Sequence, residues 1–199
     1  MSLFSYPLKF EFKVLTFAPQ FSVTDSNGQE IFYVHQKLFK LKEDISVFSN
    51  KSKADLIYKI KADKWIDWST SYVFTNVKDG NFIGRVGRKG MKSLWKATYE
   101  IFDEQNTPDF KVQEGNGFVK IMDGLIGEIP ILGFFSGYIF NPQYHISNKL
   151  GEKIATFSKE PSMLGTTFKL SDVHGLSKDE ELRVVLSLIM MVFLERTRG

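Results

Sequence analysis

The chain has 199 residues, of which 43% are hydrophobic and 25% charged, with 19 phenylalanines and no cysteine. This balance supports a packed core and excludes disulfides, thiolate catalysis and cysteine-based zinc sites. The net charge of +3 is too small to select a class of partner, so its distribution along the chain carries the information.

The opening "MSLFSYPLKFEFKVL" has no basic stretch followed by a continuous apolar core, so no secretory signal is read. With cysteine absent, the expected location is cytoplasmic, peripheral to a membrane if the chain binds one. "FEFKVLTF" (Phe10 to Phe17) then alternates apolar and polar residues at the period of a strand. "FSVTDSNGQEIFYVHQ" (Phe21 to Gln36) does the same around Asn27-Gly28, a dipeptide suited to a tight type I′ hairpin. "DISVFSNKSKADLIYKIKA" (Asp44 to Ala62) turns near Asn50, and "SYVFTNVKDGNFIGRVGRKG" (Ser71 to Gly90) turns at Asp79-Gly80. Between these two, "ADKWIDWSTS" breaks the alternation and reads as a helical turn or a loop, with Trp65 and Trp68 plugging one end of the core.

Further strands follow in Ala97 to Gly115, Gly137 to Pro161 and Gly165 to Leu170. "GLIGEIPILGFFSGYIF" (Gly124 to Phe140) is apolar, but Glu128, Pro130 and several glycines interrupt it. It reads as a strand pair or loop on the body rather than a membrane-spanning helix. Many short strands separated by polar turns predict a sandwich or barrel, and no Pro/Gly/Ser-rich linker divides residues 1–199. A single domain is expected.

The chain ends on a helix signal. Ser177 and Glu180 form an S-x-x-E capping box ahead of "LRVVLSLIMMVFLER" (Leu182 to Arg196). From Leu182 to Leu194 only Arg183 and Ser187 are polar. Such a helix covers about 20 Å at 1.5 Å per residue, short of a bilayer core of about 30 Å. It also lacks the polar stripe of a surface helix. An apolar helix too short for a membrane must be surrounded by protein, and in an all-β chain a closed barrel can do this.

This combination resembles the tubby C-terminal-like superfamily, whose branches include tubby proteins, phospholipid scramblases and plant LURP-one-related proteins. "FSVTDSNGQEIFYVHQKLFKLKEDISVF" (Phe21 to Phe48) is similar to the opening LURP-one segment, where a hairpin leads into a Lys-Leu-Phe unit. "NPQYHISNKLGEKIATFSKEPSMLGTTFKL" (Asn141 to Leu170) is similar to the late scramblase hairpin, and "LSLIMMVFLERTRG" to the ending of bacterial scramblase-like members. The resemblance implies an all-β fold with one buried helix. The barrel would be closed or nearly closed, with about twelve strands around a C-terminal hydrophobic helix at about residues 178–195. It also implies recognition of anionic phospholipid headgroups through a basic surface.

The chain lacks the cysteine cluster and the proline-rich N-terminal extension of animal scramblases. "SDVHGLSKDEE" (Ser171 to Glu181) lacks the alternating oxygen ligands of a calcium loop. With the helix buried, neither calcium binding nor lipid scrambling is expected.

For site chemistry, His35, His145 and His174 are far apart in sequence and make no metal-ligand pair. No nucleophile elbow, phosphate loop or paired-acid motif appears. No catalytic residue, metal or cofactor is assigned, and the chain is not expected to be an enzyme. The sharpest lead runs from Lys78 to Lys96, where six basic residues face one acid, Asp79. Within it Arg85, Arg88, Lys89 and Lys92 are the candidate ligands for an anionic headgroup, by forked arginine contacts and lysine point charges. Strand alternation puts Arg85 and Lys89 on one face and Arg88 on the other, with a turn after Lys89 able to bring Lys89 and Lys92 beside either arginine. The same run also reads as a solvated, aggregation-resistant barrel wall. Two functions therefore stand: a headgroup-binding module at a membrane surface, or a soluble protein-interaction or small-ligand scaffold. Nucleic acid is disfavoured because no recognised binding module is present.

Overall fold

The computed structural model describes residues 2–12, 19–36, 44–63, 70–89, 98–115, 142–161 and 166–196. They form twelve strands and one helix. The strands are β1 (Leu8–Phe12), β2 (Gln20–Thr24), β3 (Glu30–Gln36), β4 (Asp44–Phe48), β5 (Leu56–Asp63) and β6 (Thr70–Asn76). They continue as β7 (Phe82–Lys89), β8 (Thr98–Phe102), β9 (Pro108–Glu114), β10 (Gln143–Ser147), β11 (Lys153–Glu160) and β12 (Thr166–Ser171). The helix α1 spans Lys178–Arg196. The expected Trp65 and Trp68 plug and the apolar stretch Gly124 to Phe140 lie outside the described residues.

Each strand pairs antiparallel with its neighbours in sequence, and β1 pairs with β12 to close the barrel. Closure leaves none of the described strands with an unpaired edge. Register sends one alternate set of side chains inward. Phe10 lies opposite Val23 and Phe168, Ile60 opposite Ile45 and Phe74, and Ile101 opposite Val86 and Phe110. All of these are buried. The period-two pattern legible in the sequence is thus the inside–outside alternation of a barrel wall.

The hairpins between β2 and β3, β8 and β9, and β10 and β11 share one five-residue solution. In the first, Asp25 N donates to Gln29 O and Gly28 N to Asp25 O, while Asp25 Oδ1 accepts from the N–H groups of Asn27 and Gln29. Asp103 and Asn148 open the other two with the same contacts. The fourth residue of each turn, Gly28, Asn106 or Gly151, has positive φ. The expected type I′ turn at Asn27-Gly28 is therefore corrected. Asn27 has no positive φ, which a type I′ turn needs at both central residues. The Asp25 carboxylate organises a longer loop that leaves only Gly28 in the left-handed region.

These hairpins, with those joining β4 to β5 and β6 to β7 and the β12–α1 connection, lie at one end of the barrel, here termed the turn end. The helix starts there. Ser177 N donates to Glu180 Oε2 at 2.7 Å and Glu180 N to Ser177 Oγ at 3.4 Å, the reciprocal capping box. Every residue from Arg183 to Phe193 is buried, and the helix lies against β6, β7 and β8. Near the opposite end Phe193 packs on Phe12 and Phe21, with ring centroids 5.7 and 5.1 Å away. Barrel and helix therefore complete one core, as the absence of a polar stripe requires.

Candidate functional site

The basic residues of β7 divide between the two faces of the barrel wall. Arg85 lies opposite Val73 on the outer face. Its Nη1 is 3.4 Å from Asp63 Oδ2, and its guanidinium carbon sits 5.4 Å from the Phe82 ring centroid. The side chain is only 13% exposed, so Arg85 is an ion-paired, stacked part of the wall. Arg88 lies opposite Tyr99, a core residue, and therefore takes an inward position. Its Nε and Nη2 atoms are buried. Lys89 ends the strand opposite Thr98, in phase with Arg85. Lys92 lies outside the described residues. Arg85 and Arg88 are thus separated by the sheet rather than gathered.

Two further charged residues take inward positions near the same end. Glu114 on β9 lies opposite Tyr144, and Lys159 on β11 lies opposite Phe168. Neither was singled out in the basic run. The signal was present in the alternation, because Glu114 follows Phe110 and Val112 in phase and Lys159 follows Ala155 and Phe157.

The turn end is organised by two buried polar anchors on the helix. Arg183, one turn inside α1, donates from Nε and Nη2 to Asp109 Oδ2 at 3.1 and 2.8 Å, and from Nη1 to Glu104 Oε2 at 3.3 Å. Ser187 Oγ is satisfied by the Arg183 carbonyl at 2.8 Å. These are the two polar interruptions in the apolar run. Glu181 is 3% exposed and accepts from Ser2 Oγ, Leu3 N and Tyr6 OH at 2.8, 2.9 and 3.1 Å. Burial, together with the charge of Glu181 and its hydrogen bond, pushes the Tyr6 phenol far above the ordinary tyrosine range. The N-terminal residues are thereby clasped to the start of the helix.

Charge is unevenly divided between the turn end and the rest of the chain. The turn-end segments 24–30, 49–55, 76–81, 102–108, 147–153 and 171–180, which take in flanking strand residues and the first turn of α1, carry ten acidic and six basic side chains. That is a net −4 in a chain of net +3, so all other residues sum to +7. An anionic surface approaching the turn end would be repelled on balance.

The three histidines are dispersed on β3, on β10 and ahead of α1. Among the described residues no group of three or more His, Asp or Glu is placed to hold a metal, and no helix is long and apolar enough to cross a membrane. A family model described as LURP-one-related matches residues 8–191. No curated protein and no solved structure matches the chain.

Proposed function

Because the chain belongs to the LURP-one-related family, within the tubby-like C-terminal superfamily, we propose that it is a non-catalytic binding module for anionic phospholipid headgroups at a membrane surface. It would engage the membrane through the end of the barrel opposite the tight turns. The observation that carries this reading is the charge polarity, net −4 at the turn end against +7 over all other residues. An anionic bilayer attracts basic groups within about a Debye length, by about 1 kcal/mol for each Lys or Arg near the surface. The barrel would therefore orient with its turn end away from the lipid. Lys89 and Lys92 are assigned as ligands, together with Arg88. Arg85 contributes less, because Asp63 and Phe82 already hold its guanidinium.

Vesicle flotation across a salt series tests this reading. The protein is expected to float with phosphatidylcholine vesicles containing phosphatidylserine, to lose binding as salt rises, and to ignore pure phosphatidylcholine. A Lys89→Glu/Lys92→Glu variant should bind more weakly, whereas Lys78→Glu/Lys153→Glu at the turn end should not. Absence of binding to either vesicle overturns the proposal in favour of a soluble interaction or small-ligand scaffold.

A further inference from the structure

Glu181 is a carboxylate buried in the first turn of α1, and burial of such a group demands hydrogen bonds. Among the described residues its donors all come from one short segment. Ser2 Oγ donates to its two oxygens at 2.8 and 2.9 Å, Leu3 N at 2.9 Å and Tyr6 OH at 3.1 Å. The rings of the same segment cover the lumen at the turn end. Phe4 lies edge-on to Tyr6 and to Phe32, with centroids 6.4 and 5.8 Å apart, and Phe32 lies edge-on to Tyr58 at 5.9 Å. Phe32 and Tyr58 take inward positions, opposite the core residues Val23 and Val47. Alternate residues Ser2, Phe4 and Tyr6 therefore reach the barrel, while Leu3 and Ser5 are exposed. Residues 2–6 are nevertheless outside the sheet. Among the described residues, one backbone hydrogen bond joins them to the barrel, from Ser26 N to Ser5 O at 3.0 Å. A segment held by alternate side chains in a groove, rather than by a full ladder, is held as an extended peptide is held.

We infer that residues 2–6 are a displaceable strap, an internal ligand seated in a peptide-binding groove. The groove accepts an extended segment of a partner protein that carries a hydroxyl and two aromatic rings at alternate positions, as the strap does. Its parts are the Glu181 carboxylate at the start of α1 and the aromatic wall of Phe32 and Tyr58. The carboxylate gives polar specificity, because it must regain donors when the strap leaves. The rings give apolar area and edge-on contacts. The strap competes as a tethered ligand, at an effective concentration of about millimolar, so a partner binds in proportion to the fraction of chains whose strap is open. The strap is thus an autoinhibitory contact. The inference is independent of the membrane reading, which turns this end of the barrel away from the lipid. A purely structural seal would instead stay shut until the whole barrel unfolds.

Hydrogen exchange of the full chain, beside anisotropy titration with a labelled, N-acetylated peptide of residues 2–7, separates these cases. The amides of Leu3 and Ser26, both bonded through the strap, report its opening. The variant Ser2→Ala/Tyr6→Phe removes two hydroxyl donors that the peptide supplies again. Both amides are expected to exchange faster than those of the buried part of α1 in the wild type. In the variant they should exchange about ten- to a hundredfold faster still, the loss of two hydrogen bonds. The variant should bind the peptide more tightly than the wild type by the same factor. Glu181→Ala should also loosen the strap, yet bind the peptide no better than the wild type. Folding is checked by circular dichroism, and Tyr6→Phe alone serves if the double variant fails to fold. If both amides exchange only with global unfolding in the wild type and the variant, the segment is a structural seal and the strap is overturned. A variant whose strap opens but which binds no peptide overturns the groove. Peptide binding by Glu181→Ala equal to that of the double variant overturns it as well.

Discussion

Arg183 and Asp109, 74 residues apart in sequence, meet inside the barrel with both Nε and Nη2 of the arginine directed at one carboxylate oxygen. Their side chains are 8% and 9% exposed, and this pair anchors the first turns of the helix to β9. A buried ion pair gains little over a well-packed apolar pair, yet removing one partner strands the other's charge. Arg183→Met or Asp109→Leu should each destabilise the fold by about 3–5 kcal/mol, and the double variant Arg183→Met/Asp109→Leu should recover most of that loss. Urea denaturation of the three variants measures the cycle. Additive losses would contradict the coupling.

Gly84 makes room for that arginine. Its φ is +149°, and a Cβ there would lie 2.4 Å from the Phe102 carbonyl oxygen and 2.8 Å from Arg183 Cδ. The backbone contact cannot be relieved by a side-chain rotation. Gly84→Ala should therefore cost at least about 1–3 kcal/mol, seen as a lower thermal midpoint. Gly28→Ala is the comparison, because its Cβ would meet nothing within 4 Å although its φ is +77°. The Gly84 variant should lose more.

Acid should weaken the wall between β2 and β4. Burial alone would raise the Glu30 carboxyl, but Ser22 Oγ at 2.6 Å, Lys51 N at 3.0 Å and the Lys51 ammonium at 3.3 Å together bring it below the ordinary glutamate range. A carboxylate depressed in the fold contributes its stability above the unfolded value of about 4.3 and loses it as pH falls through the folded value. Glu30→Gln should thus be less stable than the wild type at neutral pH, with the gap closing as pH falls below about 4. Urea melts of both proteins at several pH values check the slope.

The N-terminal clasp should respond to alkali. The Tyr6 phenol is raised in the fold, so the unfolded chain releases its proton first. Its stability contribution is intact below the unfolded tyrosine value of about 10 and declines as pH rises beyond it. Tyr6→Phe forfeits the hydrogen bond to Glu181 at neutral pH, by about 1 kcal/mol. The difference from wild type should shrink above pH of about 10, and a constant difference would contradict the linkage.

Much of the barrel was legible in the sequence because inside–outside alternation is written residue by residue. Phe10, Val23, Ile45 and Ile60 are read inward by parity alone, and the Ser177–Glu180 box marks the helix start with the contacts its spacing implies. The same parity placed Arg85 and Arg88 on opposite faces. Partners across the lumen were not legible. Nothing local to Arg183 specifies Asp109, because their contact depends on how far the helix is inserted. Likewise Asn27-Gly28 is a turn by composition, but its type is decided by the Asp25 side chain two residues earlier. The inward charges at Glu114 and Lys159 follow the same alternation, but the neighbours they meet rest on the strand pairing.

Hydrogen exchange of the backbone with and without phosphatidylserine vesicles tests the central claim most directly, that the barrel meets an anionic surface by the end opposite its tight turns. The account predicts slowed exchange at the end of β7 near Lys89, at the end of β9 near Glu114 and at the start of β10 near Gln143. Exchange in the turns 25–29, 103–107 and 148–152 should be unchanged. Protection concentrated in those turns, with none at the opposite strand ends, would contradict it.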